Sequence, residues 1–187
     1  ADRLRRAGNW ALVHCSGATS LAALGDGANA VWHPMRAFAD RAQPPDDLAN
    51  CVVGLRGDAA LLAWLELQTQ AWGGQPVLVD EDQAVRVHAA CCFAAGFCAS
   101  VAGHAVQIFE QAGLSVDQAR QAVEALSDSA ITAMLSGQGL TGPALRDDLE
   151  TIRAHLQQLD TRGELYRALT QSMAAHGSIS DRIRAGL

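Results

Sequence analysis

The sequence contains no lysine; all fourteen of its basic residues are arginine. This absence excludes a Schiff-base lysine and a lysine general base from any mechanism. Twenty acidic residues outnumber the arginines, and the net charge is −6 at pH 7. We therefore predict neither nucleic acid nor an anionic membrane surface as a partner.

The sequence also lacks any cysteine pattern typical of a disulfide framework. Its five cysteines are odd in number, and no CxxC pair occurs. There is no signal-type start either. These absences favour a reducing, cytoplasmic location, with the cysteines as small buried side chains. A zinc site made of His14, Cys15, His33 and a distant cysteine is the disfavoured alternative, and we predict no metal.

What is present in the first 80 residues is an alternation of short apolar runs and helical segments. Strands are predicted at 10–17, 28–34, 51–57 and 75–80, and helices at 2–7, 20–24 and 59–72, with a loop at 35–50. This alternation is typical of a parallel α/β sheet that is buried on both faces. Asp58 is placed to cap the helix at 59–72, and Thr19 or Ser20 the shorter one.

After Asp80 the pattern predicts helices only. They are expected at 81–112, 115–136, 143–159, 161–176 and 178–185. Ser115 and Gln118 fit a capping box at the start of the second of them. We therefore predict two domains: a partial Rossmann-type α/β domain at 1–80 and an all-α domain at 81–187.

The longest uncharged stretch runs from Val87 to Phe109, between Arg86 and Glu110. Its length permits a membrane span, since about 20 residues cross a bilayer. Two histidines, a glutamine and many Ala and Gly residues argue against insertion. The interpretation favoured is a core helix that is buried all round.

Polar residues end two neighbouring strands of the predicted sheet. The run at 10–17 ends in His14, Cys15, Ser16 and Gly17, and the strand at 28–34 ends in His33 and Pro34. Ligands of open α/β sheets bind at the carboxyl ends of strands, so these strand ends form one candidate site, with Ser16, Gly17, His33 and Pro34 as its binding residues. The alternative is that the loops are polar only because they are exposed.

A second candidate site lies at the start of the helix predicted at 143–159. Pro143 follows Gly142 as the first helical residue, and Thr141 is placed to cap it. Free backbone N–H groups with Arg146 one turn in would suit an anion. In the alternative interpretation, Arg146 forms only a solvated ion pair with Glu150.

The remaining motifs give weaker evidence for a function. Gly137, Gly139 and Gly142 match GxGxxG, but a helix precedes them where the dinucleotide fingerprint needs a strand. GxSxG, HExxH and P-loop motifs are missing. His88 stands at the start of the long uncharged stretch, where it is predicted either to face a crevice between the domains or to serve as a structural histidine.

Five motifs in order resemble a known family: HCSGATSLAAL, HPMRAF, a Gly-Gly turn before a strand, VHAACCFAAGF and LTGPALRDDLETIRAHLQQL. The chain resembles Rossmann-like proteins with a C-terminal domain of unknown function. These belong with the 6-phosphogluconate-dehydrogenase-like oxidoreductases, whose wider relatives include pyrroline-carboxylate reductase and ketopantoate reductase. The resemblance covers nearly the whole chain.

The resemblance implies an NAD(P)-binding domain, a helical domain that forms a homodimer, and an active site between them. It places Ser16, Gly17, His33 and Pro34 beside the nicotinamide of NADP or NAD and makes His88 catalytic. The substrate-binding residues that it implies are Thr141, Gly142, Pro143, Arg146 and Asp148.

Three positions depart from the pattern of this family. Val87 replaces the usual Tyr, Gly96 the usual Asn, and Asp147 the Gly of an Arg-Gly-Asp sequence. The first βαβ unit of the family, with its glycine-rich pyrophosphate loop, is absent from this chain, which is expected either of a piece of a longer protein or of a relative that has lost cofactor binding. Two hypotheses follow: an oxidoreductase that reduces a C=O or C=N bond of a small substrate, or a non-catalytic relative that forms a helical dimer and binds a ligand or protein partner.

Overall fold

The computed structural model describes residues 10–38, 48–177 and 179–187. The helix predicted at 2–7 lies outside the described residues, as does most of the loop at 35–50. The chain forms two compact units, which we call the sheet unit (residues 1–99) and the helical unit (residues 100–187). The boundary predicted at Asp80 from the change of sequence pattern stays a prediction.

Four strands form one sheet in the order β1-β2-β3-β4. They are β1 (Leu12–His14), β2 (Asn29–Pro34), β3 (Val52–Gly57) and β4 (Gln75–Leu78). β1 pairs parallel to β2 and β3 parallel to β4, which confirms the α/β fold class. β2 and β3 run antiparallel, with Pro34 opposite Val53. The prediction of an all-parallel sheet is therefore wrong for this pair of strands, because β3 starts beside the carboxyl end of β2.

One helix, α1 (Ala59–Ala71), packs on this sheet. Asp58 caps it as predicted, accepting hydrogen bonds from the N–H groups of Ala60 and Leu61. Leu65 of α1 packs with Val53 and Leu55 of β3 in the core of the unit. β4 is largely exposed, so the expected burial on both faces does not extend to this edge of the sheet.

Thr69 of α1 is fully buried and links the helix to the sheet. Its hydroxyl donates to the Leu65 carbonyl at 2.7 Å and accepts from Trp32 Nε1 of β2 at 2.8 Å. We expect Thr69→Val to leave the indole N–H without a partner and to lower the free energy of unfolding by about 1–3 kcal/mol.

Thr170 provides the matched control for this prediction in urea unfolding. It is also buried, but among the described residues its hydroxyl bonds only back to the Tyr166 carbonyl four residues earlier. Thr170→Val leaves no indole unpaired, so its cost should be smaller. Equal costs for the two variants would show that the Trp32 contact adds nothing to stability.

A continuous helix spans Glu81–Gln111 and is called the long helix below. It consists of α2 (Glu81–Cys92), a π-helical turn (Phe93–Phe97) and α3 (Cys98–Gln111). Asp80 and Gln83 form a capping box at its start. Only Ala84 along it is buried, and Phe93 is 69% exposed. The prediction that this helix is buried all round is therefore wrong for a single chain: its small side chains are uncharged but not enclosed.

The long helix is long and apolar enough to cross a membrane by length and composition. A single helix of this kind is weak evidence for a span, since core helices of soluble proteins meet the same criteria.

The cysteines are also more exposed than predicted. All five are free, but only Cys51 is buried, so burial of the other four was wrongly predicted.

The helical unit continues with four further helices. They are α4 (Val116–Leu135), α5 (Leu149–Gln158), α6 (Gly163–Ser172) and α7 (Asp181–Gly186). The predicted Ser115–Gln118 capping box is present at the start of α4. A core of buried residues joins α5, α7 and the segments before them: Ala144, Leu149, Ile152, Ile179 and Ile183. The partly buried Tyr166 of α6 packs against this core.

The helix predicted over 143–159 is interrupted. Residues Pro143–Arg146 form a 3₁₀ turn, and Asp147 then adopts a left-handed conformation with φ of 57°. Asp148 begins a new helix by accepting the Thr151 N–H. Besides glycine, aspartate is one of the few residues that adopt this conformation. The pattern of apolar residues gave no sign of the break, because the break occurs at a polar residue.

Candidate functional site

The carboxyl ends of β1 and β2 lie side by side, because the two strands are parallel. The loop after β1 carries Gly17, which is buried. A Cβ atom at Gly17 would lie 2.5 Å from His33 Cε1 and 2.8 Å from both ring nitrogens. The His33 imidazole therefore rests directly against the backbone of Gly17, and only glycine leaves room for it.

Hydrogen bonds within the loop after β1 hold its polar groups. The Ser16 N–H donates to His14 Nδ1 at 3.2 Å. Thr19 donates to Ser16 Oγ twice, from its hydroxyl at 2.7 Å and from its N–H at 3.2 Å. Since the Ser16 hydroxyl accepts both of these bonds, its own proton is left to donate.

His88 of α2 lies beside His33. The centroids of the two imidazole rings are 6.0 Å apart, and the ring planes are inclined by 53°. His88 Nδ1 is buried and has no hydrogen-bond partner among the described residues. Burial lowers the pKa of His33, and the nearby charges of His88 and Arg56 lower it further.

The structure therefore brings Gly17, His33 and His88 together, with Ser16 and Pro34 adjacent in the chain. The contact between the two histidines was not predicted, since they lie in different segments. His14, which the sequence also placed at the end of β1, has a buried Nε2 without a partner among the described residues.

Arg56 and Glu81 form a further part of this neighbourhood that the sequence interpretation missed. Arg56 Nε donates to Glu81 Oε2 at 2.7 Å. One signal was available: Arg56 is a charge inside the apolar run of β3, and a buried charge requires a partner. Its partner, twenty-five residues away, could not be identified from the sequence.

The predicted anion site in the helical unit differs from expectation. Gly142, with φ of 136°, precedes the 3₁₀ turn, and no side chain caps that turn. The prediction that Thr141 caps it is therefore wrong. Arg146 is exposed at the end of the turn, and Glu150 lies beyond the break in the next helix. The i,i+4 geometry of an Arg146–Glu150 pair is lost with the break.

Asp148 accepts two hydrogen bonds from Thr151, from its hydroxyl at 2.7 Å and its N–H at 3.1 Å. The hydroxyl bond is the main cause that lowers the pKa of Asp148, followed by the N–H bond. Asp147 accepts from the Ser180 hydroxyl and forms an ion pair with Arg182 at 3.3 Å. Both carboxylates thus have structural partners within the helical unit.

The glycines of the GxGxxG match have positive φ angles of 78°, 80° and 136°. They lie between α4 and the 3₁₀ turn, so no strand precedes them. This confirms that the match is not a dinucleotide fingerprint. Across the described ranges, no group of three or more His, Cys, Asp and Glu side chains could hold a metal ion.

A family model described as "Domain of unknown function (DUF2520)" matches residues 51–173. No curated protein matches the chain significantly. A solved structure of a candidate NADP oxidoreductase from Bacteroides fragilis superimposes with a TM-score of 0.76 at 20% identity, over 89% of this chain and 65% of that one. Protein TM1727 from Thermotoga maritima gives 0.76 at 23% identity, over 90% of this chain and 69% of that one. The chain thus spans about two thirds of each relative and shares their Rossmann-like fold.

Proposed function

Because the chain belongs to the DUF2520 family and has an oxidoreductase-type fold, we propose that it takes part in NAD(P)-dependent reduction of a C=O or C=N bond in a small substrate. The observation that carries this proposal is the contact of Gly17, His33 and His88 at the carboxyl ends of β1 and β2. Ligands of open α/β sheets bind at such ends. The nitrogens His14 Nε2 and His88 Nδ1 are buried and have no partner among the described residues, so each has an unused hydrogen bond near this edge of the sheet.

These residues fit the nicotinamide end of the cofactor. Because His14 Nδ1 accepts the Ser16 N–H, the neutral ring carries its proton on Nε2, which suits a carboxamide oxygen. The Ser16 hydroxyl offers a second donor. The cofactor, when bound, supplies the hydride. No strand–glycine-loop–helix unit occurs in the described ranges, so we assign no residue to the pyrophosphate.

The substrate requires a proton and an anchor. We assign the proton donor or polarising group to His88, whose buried Nδ1 lies on the side of the sheet unit that carries His33. Arg146 is exposed and always charged, which suits an anion anchor. The remaining predicted substrate-binding residues are Thr141, Gly142, Pro143 and Asp148. The position of the substrate between the two units stays a prediction.

We also propose that the chain falls within the 6-phosphogluconate-dehydrogenase-like oxidoreductases and is cytoplasmic. The oxidoreductase-type fold favours a soluble protein over a membrane protein. Family resemblance supports the first proposal, and the cysteine usage supports the second.

A helical homodimer without catalysis is the second candidate function, in which the chain binds a small ligand or a protein partner. The exposed apolar side chains of the long helix favour a dimer. Phe93 and Phe97 stack edge to face on its surface, with ring centroids 5.1 Å apart and exposures of 69% and 54%. Gly96, where the family carries Asn, removes an amide from the same turn. Sedimentation velocity measures the dimer directly.

Thermal unfolding of the full-length protein with NADPH, NADH or a deazaflavin cofactor separates the two functions. A cofactor at about 100 times its Kd adds about 2.7 kcal/mol to stability. For a protein of this size that corresponds to a rise in Tm of about 5–10 °C. We expect this rise with NADPH or NADH. A dimer whose Tm is unchanged by all three cofactors would leave only the second function.

A further inference from the structure

Arg56 is a buried charge at the centre of the sheet unit. β3 carries it opposite Val31 of β2, and only 8% of the residue is exposed. Its guanidinium donates from Nε to Glu81 Oε2 and from Nη2 to the Thr19 carbonyl, each at 2.7 Å. A buried guanidinium is costly unless partners satisfy it, so the two partners are held where its planar fork can reach them.

The Glu81 carboxylate links the start of α2 to Arg56 of β3 and to Leu21. Glu81 is the first residue of α2, and its Oε1 accepts the Leu21 N–H at 3.1 Å while Oε2 accepts from Arg56. The Ser20 hydroxyl is the main cause that holds the pKa of Glu81 below its usual range, with Leu21 and Arg56 adding to it. The carboxylate is therefore ionised at neutral pH, and its position at the helix N-terminus is favourable as well.

The segments that meet at Arg56 are those that carry the histidine site. Thr19 belongs to the loop that contains Gly17, and Leu21 follows this loop. β3 lies beside β2, which carries His33. The third segment is α2, on which His88 stands about two turns after the first helical residue.

We propose that Arg56 and Glu81 are positioning residues: their ion pair fixes the first turns of α2 against β3 and thereby holds His88 against His33. Neither residue touches the histidine pair through a hydrogen bond in the described residues; they act through the placement of the helix. The catalytic consequence rests on the proposed function, whereas the placement of the two rings does not.

The test measures electrostatic coupling between the two histidines by NMR titration of the histidine ring protons in the full chain. Removal of the His88 charge by His88→Gln should raise the titration midpoint of His33, because His88 is one cause of its lowered pKa. In a Glu81→Ala background this rise should fall to near zero, since α2 is no longer held beside β2. This double-mutant design isolates the coupling from the direct effect of the lost carboxylate.

Two further variants keep the test decisive. Glu81→Gln retains an acceptor for the Leu21 N–H but loses the ion pair, and it should reduce the coupling in part. Arg184→Ala removes an exposed ion pair with Asp181 in the helical unit and should leave the coupling unchanged. If Glu81 only stabilised the fold, its replacement would lower Tm but would not alter the shift of the His33 titration midpoint that His88→Gln causes.

The proposal is overturned if His88→Gln shifts the His33 midpoint equally in the wild-type, Glu81→Ala and Glu81→Gln backgrounds. Turnover measured on the same variants is a separate result: Glu81→Ala should lower kcat more than it raises KM, because the geometry of the proton donor changes while the anion anchor does not. Lost coupling in a protein that binds no cofactor would support the positioning pair and contradict the proposed function.

Discussion

Replacement of His88 by glutamine is expected to lower turnover about 10²–10⁴-fold, the usual contribution of a positioned general acid or base. Glutamine keeps a polar side chain on α2 but cannot take up and release a proton near neutral pH. The ring is only partly buried and its Nδ1 has no partner among the described residues, so the fold should survive the change. Steady-state kinetics and the Tm of the variant provide the measurement.

Two other histidines serve as controls for this prediction. His176 is exposed in a turn of the helical unit, and His176→Gln should leave both turnover and Tm unchanged. His104 also has a buried Nδ1 without a partner among the described residues, and it lies further along the long helix. If His104→Gln matched the loss caused by His88→Gln, burial of an imidazole in this helix, and not proton transfer by His88, would explain the effect.

Local features of the fold could be predicted from the sequence because local interactions determine them. The caps at Asp58 and Ser20 and the Ser115–Gln118 box depend on residues within one turn, and all three are present. The four strands begin and end within a few residues of their expected limits. The direction of β3 could not be predicted, since it depends on whether β3 starts beside the first or the last residues of β2.

The candidate site was predicted only in part, because its contacts join distant segments. Ser16–Gly17 and His33–Pro34 were found from one local rule, that ligands bind at the ends of parallel strands. The contact of His88 with His33 depends on the angle at which α2 leaves β4. No periodicity in the sequence encodes that angle, but the Arg56–Glu81 ion pair contributes to it.

The exposure of the long helix has the same kind of cause. Absence of charge predicts that a segment avoids water, but not which surface covers it. Here α1 covers the sheet and α5–α7 form their own core, and large apolar side chains of the long helix, among them Val85, Phe93 and Phe97, stay exposed in the described part of the chain. Composition could therefore identify the helix, but only coordinates show that its surface is exposed in one chain.

Gly17→Ala should reduce turnover about 10²-fold, the cost of displacing a reacting group by about 1 Å. The added Cβ would fall within 2.8 Å of three atoms of the His33 ring, which must move, and the ring beside it is that of His88. The overpacking should also cost about 1–3 kcal/mol of stability. Gly103→Ala is the matched control: apart from its chain neighbours and the backbone of its own helix, no described atom lies within 4 Å of its Cβ position, and its helix should gain up to about 1 kcal/mol.

The His33→Ala background shows whether the clash itself causes these losses. Without the imidazole, the Cβ at position 17 has room, so Gly17→Ala should cost little further stability there. A loss of stability that is the same in both backgrounds would mean that the backbone of the loop, and not the His33 ring, requires glycine. Turnover should already be reduced by His33→Ala, and Gly17→Ala should add no further loss, because both changes act on the placement of the same ring against His88.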